Sequence, residues 1–76
     1  MRKIFCKSKA KCISKGEIIR HNKNIYQVLI VFVRNDIRAR CIQVDIDQGI
    51  VVDYHGLIKT VVLGFNDEYE YLTWED

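Results

Sequence analysis

Residues 25–33, read IYQVLIVFV, are almost wholly apolar, and the rest of the chain has to be arranged around them. Successive strand residues point to opposite sides of a sheet. One face is therefore Tyr26, Val28, Ile30 and Phe32, and the other is Ile25, Gln27, Leu29, Val31 and Val33. Both faces are apolar, and a bare apolar strand is a template for aggregation. The pattern predicts a central, curved strand covered on both sides. The stretch is too short to span a bilayer, which takes about 20 apolar residues.

Turn chemistry divides the residues after this strand. Asn35-Asp36 reads as a two-residue hairpin loop, because such loops favour residues that tolerate positive φ. That loop sets Arg34 opposite Ile37, Phe32 opposite Ala39 and Ile30 opposite Cys41. Beyond Cys41 the apolar parity switches to Ile42, Val44 and Ile46, which predicts a bulge or sharp bend. Asp47-Gln48-Gly49 makes the next turn, and Ile50-Val51-Val52 a short strand. Tyr54-His55-Gly56 makes a fourth turn, and residues 57–65, LIKTVVLGF, a second strongly apolar strand with a bend at Gly64.

Upstream, residues 1–15 read as a strand plus loop. Ile4, Cys6, Ser8, Ala10 and Cys12 fall on one face, and Lys3, Phe5, Lys7, Lys9 and Lys11 on the other. Gly16 opens a second segment, GEIIRH. Asn22-Lys23-Asn24 then forms a short loop, since Asn visits left-handed backbone angles cheaply. The tail, NDEYEYLTWED, reads as a closing strand rich in Tyr, Thr and Trp. One helical turn capped by Asn66 is the alternative. Five to six short strands between Gly/Asn/Asp turns predict an all-β fold, a single small antiparallel barrel over residues 1–76.

The run KGEIIRHNKNIYQVLIVF, followed by a turn and IRARCIQVD, resembles the opening hairpins of Src-homology-3-like small barrels. In these a Gly-led strand, a short loop, an aromatic and alternating Val/Ile build a bent sheet. The resemblance covers about residues 15–46 and implies such a barrel, which some nucleic-acid-, ribosome- and polymerase-associated modules use. The chain lacks the second glycine that the KOW pattern carries after the first hairpin loop, so no binding residue is transferred. A shared fold does not bring a shared function.

Composition fits one domain with an adequate core, at 76 residues and 49% hydrophobic. No stretch joins a charged start, an apolar run and a small-residue cleavage site, so the expected compartment is the cytoplasm, with no membrane association. Cys6, Cys12 and Cys41 are odd in number and read as reduced thiols that pack as small apolar residues. A Cys6–Cys12 disulfide is one alternative. A zinc site with His21 or His55 is another, although the usual paired ligand spacing is missing. No cofactor or metal is expected.

Charge distribution is more informative than the net value of +2. Residues 1–40 carry eleven Lys/Arg against Glu17 and Asp36, a balance of +9. Residues 41–76 carry Lys59 against eight carboxylates, a balance of −7, and the two halves restore +2. Catalytic signatures are missing: there is no phosphate-binding Gly-rich loop, no HExxH and no GxSxG. The expectation is a non-enzymatic binding domain, monomeric or homodimeric. Its basic half would dock on a polyanion, RNA or DNA, through Lys3, Phe5, Lys7, Lys9, Lys11, Arg20, Lys23, Arg38 and Arg40. Alternate lysines on a strand make a row about 6.6 Å apart that can follow phosphates, and Phe5 can stack on a base.

The competing expectation is a small regulator or inhibitor that docks on a larger protein through Glu68, Tyr69, Glu70, Tyr71 and Trp74. Its Lys/Ile/Asn-rich, proline-free composition fits a short phage or mobile-element reading frame. A third outcome is self-neutralisation, with the acidic tail lying over the basic start. The polyanion reading requires those two segments to sit on separate sides of the molecule.

Overall fold

A computed structural model describes residues 2–75. It is all-β and antiparallel, with six strands: β1 (Lys3–Lys9), β2 (Ile18–His21), β3 (Asn24–Val33), β4 (Ile37–Asp47), β5 (Ile50–Leu63) and β6 (Glu68–Trp74). A single 3-10 turn at Ala10–Cys12 follows β1. The tail is a strand, and the helical turn lies near the start of the chain. The order across the sheet is β1-β6-β2-β3-β4-β5, and β1 and β5 remain unpaired on their outer sides. Among the described residues the sheet is therefore open, and the barrel expected from the sequence is not shown to close.

The apolar run is interior, as its composition demands, since β3 pairs with both β2 and β4. Its cover is incomplete: Ile25 and Gln27 are half-buried under the β4–β5 arm. Tyr26 and Val28 are buried, while Ile30 and Phe32 are about half exposed. The register explains this. The β3–β4 loop has three residues, Arg34-Asn35-Asp36, with Arg34 N–H donating to the Asp36 carbonyl at 3.0 Å. Val33 therefore opposes Ile37, Val31 opposes Ala39 and Phe32 opposes Arg38, one place away from the predicted pairing. A shift of one residue exchanges the two faces. Ala39 and Cys41 keep their expected core positions, but Val31 and Val28 face them in place of Phe32 and Ile30. The extra residue in β3 lies between Val28 and Ile30.

The parity switch after Cys41 is present. The β4–β5 register slips between Ile42 and Val44, so Ile37, Ala39 and Cys41 are buried and then Val44. The slip is accommodated within β5 around Gly56, at φ +77°, so Tyr54-His55-Gly56 is a bulge in one long strand and the predicted fourth turn is not made. Beyond it, Asp47 and Ile50 flank the expected turn at Gln48-Gly49. That arm folds back over the sheet. The Tyr54 hydroxyl donates to Gln27 Oε1 at 3.1 Å, and Lys3 Nζ donates to the Gly49 carbonyl at 3.2 Å.

One cluster forms the core: Ile19, Tyr26, Val28, Ile37, Ala39, Cys41, Val61, Leu63 and Tyr69, with Ala10 and Ile13 at its end. It joins β2 and β6 to β5, which lie far apart in the sheet order, so the sheet curls on itself around these side chains. The curl requires only a short link, residues 64–67, between β5 and β6. There the Asp67 carboxylate accepts the Gly64 N–H at 2.7 Å, and the Asp67 N–H donates to the Gly64 carbonyl. Buried Tyr69 donates its hydroxyl to Glu17 at 2.9 Å, and Glu17 also accepts the Ser14 N–H at 2.8 Å, which ties the β1–β2 loop to β6.

Two of the three glycines with left-handed backbone differ in what a side chain would meet there. Gly56 has open space where a side chain would stand, whereas a methyl group on Gly49 would lie 2.7 Å from Lys3 Cδ and 2.9 Å from its Cβ. Gly56→Ala is expected to lose about 1–2 kcal/mol, from backbone conformation alone. Gly49→Ala should lose more, because Lys3 must also leave the turn. Urea midpoints at constant m-value measure both; equal losses would mean that the arm does not rest on β1.

Candidate interaction surfaces

The face of the sheet opposite the core carries the side chains with chemical interest. Cross-strand partners share a face, so the pairings Lys7–Glu70–Arg20, Phe5–Leu72, Ile30–Arg40 and Phe32–Arg38–Val62 place these residues together. Lys3, Phe5, Lys7 and Lys9 do share one face, as the alternation predicts. Lys11 stands beyond them in the 3-10 turn. Cys12 is exposed, and Ile13 is buried in its stead.

The lysine row is not isolated. β1 pairs along its whole length with β6, so Lys7 stands opposite Glu70 and Lys9 opposite Glu68. The basic and acidic ends of the chain are neighbouring strands, and the separation that the polyanion reading required is absent. Arg20 completes a row of alternating sign, donating to Glu70 through Nη2 at 2.6 Å and Nε at 3.4 Å. Arg20 is held charged by Glu70, and Glu70 is held below its ordinary carboxyl range by the hydrogen bond from Arg20. The Arg20 guanidinium also lies over the Phe5 ring at 4.3 Å, a cation–π contact on the ring face that a base would use.

The other predicted basic residues lie elsewhere. Lys23 is in the β2–β3 turn at φ +70°. Arg20 pairs beside Ile25 and Arg40 beside Ile30, so about 16 Å of β3 separates them at the usual rise per residue. Arg38 is bound to Asp36 at 3.0 Å, whereas Arg40 is exposed.

The acidic, aromatic segment is a strand of the sheet. Tyr69 is buried, and its phenol is pushed well above its ordinary value by burial and by the hydrogen bond to Glu17. Tyr71 packs against the core at 5.7 Å from Tyr69, between ring centroids. Glu68 is exposed, Glu70 is paired with Arg20, and Trp74 is exposed with Lys3 Nζ 5.0 Å from its ring centroid.

The cysteines are free thiols and make no disulfide. Burial pushes the Cys41 thiol up to about 11. Among the described residues, the one grouping of metal-ligating side chains contains no cysteine. It is Asp45, Asp53 and His55, all exposed, with His55 Nε2 at 3.0 Å from Asp45 Oδ2.

What sequence reasoning missed is an apolar surface. Ile30, Phe32, Ile58 and Val62 are each about half exposed on the outer face. Phe32 also borders an open hollow of about 450 Å³ at the β3–β4 turn, with Arg34, Asn35, Asp36 and Arg38. The signal is present in the two apolar faces of residues 25–33, which the fold covers only up to Val28. No helix among the described residues is long and apolar enough to cross a membrane. No family model matches the chain, and neither does any curated protein or solved structure.

His21 lies on the core side, half-buried, and its pKa is lowered by burial and then by the positive charge of Lys59. A histidine lowered on folding binds its proton more readily in the unfolded chain. Its contribution to stability is therefore intact above the unfolded value of about 6.5 and lost as pH falls through the folded value. The urea midpoint should drop between about pH 7.5 and pH 5.5. His21→Gln should flatten that part of the profile, and an unchanged profile would refute the assignment.

Proposed function

We propose that the chain is a non-enzymatic protein-interaction module that docks through the outer face of β3, β4 and β5. One observation supports this reading above the others: Ile30, Phe32 and Val62 lie exposed and adjacent on that face, interleaved with Arg38 and Arg40. Interface centres are enriched in aromatic residues and arginine and depleted in lysine. Exposed apolar surface of this extent on a small domain marks a contact site more often than a solvent face. The complementary partner is a protein with an apolar patch rimmed by carboxylates. A small regulator that seats on a larger host fits this chemistry, with the docking surface moved from β6 to the face around Phe32.

Polyanion binding is the second reading. It is supported by the exposed Lys7 and Lys9 on the edge strand β1, Lys11 in the turn that follows, and Arg40 on β4. Against it stand the carboxylates of Glu68 and Glu70 beside those lysines and the Arg20–Phe5 stack.

Two variants separate the readings. With the immobilised protein and an extract of its source cells, Phe32→Asp should reduce retention of a protein partner by roughly tenfold or more. The double variant Lys7→Glu, Lys9→Glu should leave retention unchanged. If the lysine variant instead abolishes binding to labelled single-stranded oligonucleotide, with a log–log salt slope of about −0.7 per neutralised phosphate, the docking proposal fails and the polyanion reading takes its place.

A further inference from the structure

The two free edges of the sheet are built differently. β1 carries Lys3, Lys7 and Lys9, the usual means of keeping an edge strand from pairing with another chain. β5 is guarded more lightly, by the bulge at Gly56 and by one lysine. Between the bulge at Gly56 and the turn at Gly64 it reads Leu57-Ile58-Lys59-Thr60-Val61-Val62-Leu63, with no proline and a single charge. That charge, Lys59, shares the face of its partner Cys41 and is exposed, with Nζ 5.9 Å from the centroid of the Tyr26 ring. This stretch pairs without interruption with β4, from Ile37–Leu63 to Ile42–Ile58. Its second side presents backbone donors and acceptors with no strand to meet them.

From this edge we infer that a second copy of the chain pairs with β5, antiparallel and about a two-fold axis at Thr60. The residue pattern is what selects this occupant. A two-fold at Thr60 sets Leu57 against the partner's Leu63, Ile58 against the partner's Val62 and Lys59 against the partner's Val61. Every apolar residue on the outer face then meets an apolar one across the axis, Thr60 meets its own copy, and no charge faces a like charge. Threonine pairs and β-branched pairs are favourable cross-strand neighbours, and like charges directly opposite are not. Moving the axis by one residue to Lys59 would set two ammonium groups face to face. A closed two-fold also removes both β5 edges, so the assembly stops at the dimer and does not grow into a fibre. The apolar outer-face residues Ile58 and Val62 of both copies become contiguous, and the two sheets join into one. This inference does not depend on the docking reading, since it concerns the edge of β5 and not the Phe32 face.

Sedimentation velocity on the full chain over a range of concentrations tests it. The wild type is expected to be a dimer. Thr60→Lys places two positive charges across the axis and should raise the dimer dissociation constant by roughly tenfold or more. Thr60→Val should keep the dimer, and circular dichroism of both variants checks that the fold is intact. The register is tested by mild oxidation in a Cys12→Ser background. Thr60→Cys should link to itself, and Ile58→Cys should link to Val62→Cys in a mixture but not to itself. A wild type that stays monomeric at hundreds of micromolar overturns the inference. So does Ile58→Cys linking to itself as readily as Thr60→Cys, or a β5 edge that pairs only with a different protein.

Discussion

A strand can change which of its faces is buried only by adding or losing a residue against its neighbour. The whole molecule is shaped by where this happens. β3 takes its extra residue between Val28 and Ile30, and the β4–β5 pair slips between Ile42 and Val44. The first break turns Ile30 and Phe32 outward while Val31 stays with the core. The second lets one pair of strands contribute Cys41 and Val61 to the main core and then bend away, carrying Val44 and the Gly49 turn back across the sheet to Lys3. A further slip in the same pair, between Asp45 and Ile46, continues the bend toward the Gly49 turn.

Much of this is legible in the residues. The β-branched content of 25–33 marks the interior strand, Gln48-Gly49 marks a turn, and the change of apolar parity after Cys41 marks the bend. The break in β3 is not legible, because both faces of IYQVLIVFV are apolar and no polar residue reports the exchange. The three-residue loop is hidden for a related reason. Asn35-Asp36 satisfies the chemistry of a two-residue turn, and the inclusion of Arg34 is decided by Val31 and Val33 packing toward Ala39 and Ile37. At Tyr54-His55-Gly56 a glycine with positive φ suits a turn and a bulge equally, and the long pairing with β4 selects the bulge.

The candidate sites show the limit of linear charge. A chain that is strongly basic over residues 1–40 and acidic afterwards suggests a dipolar molecule, yet β6 inserts between β1 and β2 and brings opposite signs to adjacent positions. Exposed pairs of this kind contribute little individually, about 0–1 kcal/mol. Their larger effect is on the field that an approaching polyanion meets, since Glu68 and Glu70 lie among the lysines and Arg20. In the patch around Phe32, Arg38 is paired with Asp36 of the β3–β4 loop, while Arg40 stands between Ile30 and Thr60 with no carboxylate opposite it on either neighbouring strand.

The position of β6 also bears on how the chain reaches its native state. It is the last strand in chain order but an interior one in space, held between the first strand and the second. During synthesis, β1 and β2 emerge well before the strand that lies between them. The hairpins β2–β3, β3–β4 and β4–β5 are sequential and can assemble as they appear, whereas β1 must wait for a pairing across most of the chain length. Contacts of such long sequence separation slow folding, so the nascent protein exposes the unpaired sides of β1 and β2, and with them Ile19, until Tyr69 and Tyr71 arrive to cover them.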